Sequence, residues 1–190
     1  MAPETRAQTA TVTIDFDDQP GGLPPSPAVT TGMFSPFATF STIAGSKLLI
    51  FSAADAVGGS PPNVLTAAAD VVLGPFDSDV FVDFTHPVQD LHFKVSSGND
   101  VGNIGSVNVF VDGSLASTLG IIGTGEFTVP IPIDLTSFTN VTRVEIVNIT
   151  DEFGLSYDDF VFTAPVPEPA TAAMLAVGLM IILGLASRRT

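Results

Sequence analysis

Residues 106–119 read Ser106-Val107-Asn108-Val109-Phe110-Val111-Asp112-Gly113-Ser114-Leu115-Ala116-Ser117-Thr118-Leu119. Val107, Val109 and Val111 recur at every second position, and a period of two puts their side chains on one face of an extended strand. Asp112-Gly113 is a dipeptide suited to the two positive-φ positions of a type I′ turn. The stretch therefore predicts a β-hairpin, with strands over Ser106–Val111 and Ser114–Leu119.

The same pattern extends in both directions. Short apolar runs broken by Gly, Pro, Asp and Asn predict further strands at Thr11–Asp17, Lys47–Ser52, Val71–Phe76, Val80–Phe84, Asp90–Val95, Gly125–Ile131, Thr142–Ile149 and Tyr157–Thr163. In the run Val144–Ile149, Val144, Ile146 and Asn148 share one face and Glu145, Val147 and Ile149 the other. Apolar residues on both faces suit a strand in the middle of a sandwich. No stretch before residue 170 keeps a helical period over three turns. Gly and Pro cluster at Gln19–Pro27 and Gly58–Pro62, where long loops are expected. About ten strands with long crossovers predict an all-β, two-sheet antiparallel jelly-roll sandwich rather than a closed barrel.

Composition narrows the function classes. The chain has 190 residues, with 20 Asp and Glu against 6 Lys and Arg. With Glu168, Arg188 and Arg189 set aside as part of the tail, 19 acids face four bases. Such a surface repels phosphate backbones, so nucleic acid is excluded as a partner. Cysteine is absent, which removes disulfides, thiolate metal sites and thiol nucleophiles. Fifteen Phe accompany a single Tyr and no Trp. The two histidines, His86 and His92, lie six apart in strand-like sequence, and no Gly-x-Ser-x-Gly elbow is present. No enzymatic activity is expected.

The C-terminus departs from the β pattern. Val166-Pro167-Glu168-Pro169 precedes an uncharged apolar run, Ala170–Ala186, and the chain closes with Ser187-Arg188-Arg189-Thr190. As a helix the run spans roughly 25 Å. That is slightly short of a bilayer core of about 30 Å, and arginine snorkelling closes the gap. Pro169 sets the helix start. Arg188 and Arg189 are expected on the cytoplasmic side, which leaves the acidic domain outside. The organisation expected is a disordered leader at 1–9, a β domain at 10–163, a Pro-rich linker at 164–169, a transmembrane helix at 170–187 and a basic end at 188–190. The opening residues lack the apolar core of a signal peptide, so an export signal is expected upstream or already removed.

The tail resembles the PEP-CTERM sorting domain: Val166, Pro167, Glu168 and Pro169, then Ala170-Thr171, the apolar helix and the basic end, in that order. The resemblance implies recognition by an exosortase, cleavage near the motif, and export in a Gram-negative-type bacterium that makes exopolysaccharide or biofilm. The domain resembles the β-sandwich ectodomains joined to such tails. The matching segments are Thr13–Asp18, Gly59–Leu65, Phe84–Phe93, Val109–Gly113, Val141–Asp151 and Gly154–Phe162. That likeness implies a galactose-binding-like or carbohydrate-module-like jelly roll. The function expected is an exported surface or matrix protein that binds polysaccharide, with Tyr157, on a concave sheet face, as the candidate ligand-binding residue. A structural or adhesive matrix protein without a sugar ligand is the alternative, and an uncharacterised hydrolase a third.

One set of carboxylates has a chemistry of its own. Asp15, Asp17 and Asp18 fall on the first predicted strand, Asp158 and Asp159 on the last. Terminal strands of a jelly roll lie side by side, and carboxylates gathered there repel one another unless a cation neutralises them. Ca²⁺, which takes six to eight oxygen ligands, is the expected ion, and the family resemblance implies a structural Ca²⁺ near these strands. The alternative makes Asp17-Asp18 the entry to the Gly-Pro loop and Asp158 an exposed strand-end residue.

Overall fold

The computed structural model describes residues 8–22, 27–52, 59–70 and 75–166. The chain divides into two units, Thr11–Ala164 and the pair of terminal segments Met1–Ala10 with Pro165–Thr190. In the second unit the described residues are 8–10 and 165–166, where Val166 N donates to Gln8 O at 2.8 Å. Pro167, Glu168, Pro169, the apolar run and Arg188-Arg189 lie outside the described residues.

Among the described residues the first unit is all β. Its strands are β1 (Thr9–Ile14), β2 (Ala28–Thr30), β3 (Ala38–Thr42), β4 (Lys47–Phe51), β5 (Val64–Ala68), β6 (Val80–Ser97), β7 (Val101–Val111), β8 (Ser114–Thr124), β9 (Ile131–Asp134), β10 (Val141–Val147) and β11 (Leu155–Pro165). The hydrogen-bonded order is β2-β4-β5-β11-β6-β10-β7-β8, with β1 on β11 and both β3 and β9 on β6.

The 18-residue β6 holds the architecture together. Its first half pairs antiparallel with β3 and β10. From Gln89 to Ser97 it pairs instead with β11 and β9. Asp90, at φ 56°, bends the strand between the two halves. The two strand groups meet over phenylalanine. Phe40 of β3 stands edge-on to Phe160 of β11 at 5.1 Å, and Phe84 of β6 edge-on to Phe162 at 5.1 Å. Phe16, Phe34 and Phe93 join the cluster, the last stacked on Phe160 at 4.5 Å. Each buried Phe contributes about 2–3 kcal/mol by removal from water, and edge-on pairs add about 0.5–1.5 kcal/mol. Six of the fifteen phenylalanines are thus buried in this core.

The central hairpin forms as its sequence dictates. Val111 opposes Ser114, and Asp112 and Gly113 take φ 48° and 78° between them. Val107, Val109, Val144 and Ile146 are wholly buried. Elsewhere the expected strands are redrawn. Val80–Phe84 and Asp90–Val95 are one strand, and Pro87 lies just before its change of partners between Val88 and Gln89. Gly125–Ile131 is not a strand but a turn closed by Val129 N on Glu126 O, and β9 begins only at Ile131. In the expected strand Val71–Phe76, Phe76 makes an isolated bridge to Gly154, and residues 71–74 lie outside the description. β5 showed no alternation because all five of its residues are buried. β2 and β3 lie in Ala- and Thr-rich sequence without a strong period.

Candidate functional site

β1 and β11 do pair, and backbone irregularities on the two sides leave Asp17 within electrostatic reach of Asp159. Phe16 adopts φ 61° after β1 and turns Asp17 toward Asn63. In β11 the register slips between Asp158 and Val161, where Asp159 takes φ 50°. A bulge of this kind re-aims side chains.

The carboxylates receive donors from neighbouring loops. Ser60 donates to Asp158 Oδ2 from its backbone N at 2.6 Å and from its hydroxyl at 2.8 Å. Asp159 N donates to Asp158 Oδ1 at 2.8 Å. Asp159 Oδ2 lies 2.6 Å from Lys94 Nζ. Asn63 N donates to Asp17 Oδ1 at 3.2 Å, and the Asn63 side-chain amide ties down the Phe16, Asp17 and Gln19 carbonyls. Asp15 Oδ1 accepts from Asp17 N, and Asp15 and Asp18 border a small hollow of about 90 Å³.

Burial pushes the Asp158 carboxyl up to about 6, against the Ser60 hydrogen bonds that favour its ionised form. Asp17 is also raised, first by burial and then by repulsion from Asp15, Asp159 and Asp18. Among the described residues no three His, Cys, Asp or Glu side chains converge on a point where they hold a metal ion. Asp158 is 2% exposed, so it is not the exposed strand-end residue that the alternative sequence reading supposed.

Tyr157 is 1% exposed and paired in register with Leu65 and Val95. Its hydroxyl has no hydrogen-bond partner, and burial raises its pKa. The ring belongs to the core, and no face of it is open to a ligand.

A groove of about 340 Å³ lies at a different place, where β4, β5, β6 and β11 meet the connecting loops. Its aromatic lining is Phe51, Phe76, Phe127 and Phe153, and its polar lining includes Thr66, Ser96, Ser97, Ser156 and Glu152. A pocket of this size with apolar walls and a few polar groups is the usual form of a small-molecule site. The rim is held by hydrogen bonds. Asp151, 3% exposed, accepts from Gly98 N and Phe153 N, both at 3.0 Å, and Gly154 N closes the turn on Asp151 O at 3.0 Å. Phe76 N donates to Phe153 O at 3.1 Å, and Leu155 N to Phe76 O at 3.0 Å. Gly154 has φ 82°, and a Cβ there would overlap the Phe76 carbonyl. The turn therefore needs glycine, and it holds Phe153 out at 52% exposure across from Phe127 at 41%. On the floor, Thr66 Oγ1 donates to Leu155 O at 2.7 Å, while the buried Ser97 hydroxyl has no partner.

Sequence reasoning did not single out these groove residues. The available signal was the turn Asp151-Glu152-Phe153-Gly154, a phenylalanine at a tight turn where polar residues are usual.

No protein-family profile matches the chain, and no curated protein matches it either. Among solved structures it is similar to the K2 cleaved adhesin domain of Lys-gingipain (Kgp), at 13% identity and a TM-score of 0.52, over 82% of this chain and 100% of that one. A family two carbohydrate esterase from Cellvibrio japonicus matches at 14% identity and a TM-score of 0.33, over 85% of this chain. An isomalto-dextranase from Arthrobacter globiformis T6, complexed with panose, matches at 16% identity and a TM-score of 0.37, over 82% of this chain. The chain spans 37% of the esterase and 33% of the dextranase. At these identities the adhesin likeness speaks for the β-sandwich fold alone.

Proposed function

We propose that the chain is an exported, non-catalytic surface or matrix protein whose jelly-roll sandwich binds a segment of neutral polysaccharide in the groove between Phe76, Phe127 and Phe153. The observation that carries the reading is the preformed rim, which presents two exposed phenylalanines over a floor of serine and threonine. Aromatic faces hold the apolar faces of sugar rings, and hydroxyl and backbone groups match ring hydroxyls. A net charge of -14 favours a neutral chain over a uronate-bearing one. Glu152 is the one ionisable side chain among the described lining residues, and glycoside hydrolysis uses two carboxylates, which supports binding without turnover. The tail from Val166 onward is read as a PEP-CTERM signal. It inserts the chain in the inner membrane and delivers it to an exosortase for processing toward the cell surface.

A purely adhesive or structural role, without a sugar ligand, is the second reading, and the fold likeness to an adhesin domain favours it. A glycan array probed with the full chain in detergent separates the two. Retention of neutral glycans that weakens in Phe153→Ala supports the first. Absence of any retained glycan supports the second.

A further inference from the structure

We propose that the outer edge of β8 is a self-association surface, along which two copies of this chain pair antiparallel and continue the sheet across a two-fold axis. β8 ends the strand order, and among the described residues its strand partner is β7 alone. Its eleven residues, Ser114–Thr124, contain no proline and no charged side chain. Those are the residues that ordinarily stop a long exposed edge from pairing with another chain. Among the described residues the other terminal strands are shorter. β1 has six residues, β2 three, β3 five, and β9 four that include Pro132 and Asp134.

The edge is also self-complementary. The register irregularity between Val109 and Phe110 makes Ala116 an extra residue, so Leu115 opposes Phe110 while Ile122 opposes Asn103. Phe110 and Asn103 face away from the buried Val107 and Val109 and from the buried Ile104. Leu115 and Ile122 therefore share the outer face, and each is 56% exposed. They sit at equal ladder distances from the strand centre near Leu119. An antiparallel pairing about a two-fold axis there sets Leu115 of each copy beside Ile122 of the other. This reciprocal match is what an isologous contact requires, and backbone N–H and C=O groups supply the attachment. Charge argues the same way. Two copies at net -14 repel each other over most approaches, and a strand without charge is where they meet with least repulsion.

The chain has no native cysteine, which makes the register directly testable. Full-length Leu115→Cys and Ile122→Cys chains in detergent are oxidised separately and as a mixture. The mixture should give a disulfide-linked dimer, and each alone should give little. In the proposed pairing like positions lie roughly 20 Å apart by strand rise, and a disulfide spans at most about 7 Å between Cα atoms. Equal crosslinking in all three samples, or none in the mixture, overturns the proposal. Sedimentation equilibrium supplies an independent readout. The Leu115→Lys/Ile122→Lys chain should remain monomeric at concentrations where the unaltered chain is a dimer, with dimerisation weakened at least tenfold. Unchanged association in the lysine variant, such as the apolar tail would cause, or no dimer of the unaltered chain, counts against it.

Discussion

Ser60 places two donors on a single oxygen of Asp158, its backbone N at 2.6 Å and its hydroxyl at 2.8 Å, although the residues are 98 positions apart in sequence. The loop that follows β4 in the chain is thereby fastened to the last strand. A buried carboxylate thus takes its donors from a loop distant in the sequence.

That carboxylate should make stability fall as pH rises. Its folded pKa, about 6, lies above the ordinary 3.8. Its contribution is therefore fully present below about pH 4 and is lost as pH passes through 6. A shift of this size corresponds to about 3 kcal/mol. Asp158→Asn should abolish this part of the decline. Denaturant midpoints at pH 4 and pH 7 check it: equal losses in the two proteins across that window would contradict the assignment.

Removing divalent ions should leave the fold unaffected. Asp158, Asp159 and Asp17 take their partners from Ser60, Lys94 and Asn63. Thermal melts with EDTA and with added calcium should coincide. A calcium-dependent rise in Tm would restore the cation as the partner of these aspartates.

Tyr157→Phe should stabilise the protein by about 1 kcal/mol. The hydroxyl is buried without a partner, and an unmet polar group costs about 1–3 kcal/mol, part of which the smaller side chain recovers. Glycan retention should not change, because the ring is core. A loss of binding in this variant would return Tyr157 to the ligand site.

Gly154→Ala should be costly, by about 2–3 kcal/mol. The residue needs φ 82°, and its new methyl would meet the Phe76 carbonyl. The Asp151–Gly154 turn carries Phe153, so glycan retention should fall along with Tm. An alanine variant of native stability would show that the turn tolerates a different backbone path.

Phe153→Ala and Phe127→Ala should separate binding from folding. Both rings are well exposed, so each variant should keep its stability to within about 0.5 kcal/mol. Each should lose about 0.5–1.5 kcal/mol of affinity for a retained glycan. Isothermal titration and thermal melts on the same samples test this, and unaltered affinity in both would move the ligand away from the groove.

Legibility differed from element to element. The hairpin at Asp112-Gly113 was written in a turn dipeptide and a period of two, both local properties. β5 was illegible because a strand buried on both faces has no polar side to mark it. β6 was misdivided because Pro87 usually ends a strand, and its tolerance depends on a change of partners that no local pattern encodes. The first and last strands pair as their order suggests, yet the partners of their aspartates were not foreseeable. Ser60 and Asn63 reach them from a loop distant in the chain.

What the sequence determined by itself was the β character, the acidic surface and the hairpin, together with an expectation for the tail, because composition and short-range periodicity act within a few residues. Tertiary structure alone decided that Tyr157 is core, that Asp158, Asp159 and Asp17 meet Ser60, Lys94 and Asn63, and that a phenylalanine-rimmed groove opens beside Gly154. Burial and hydrogen-bond partnership arise from residues far apart in the chain, and those meet only once the long bent strand has joined the two groups of strands over the phenylalanine core.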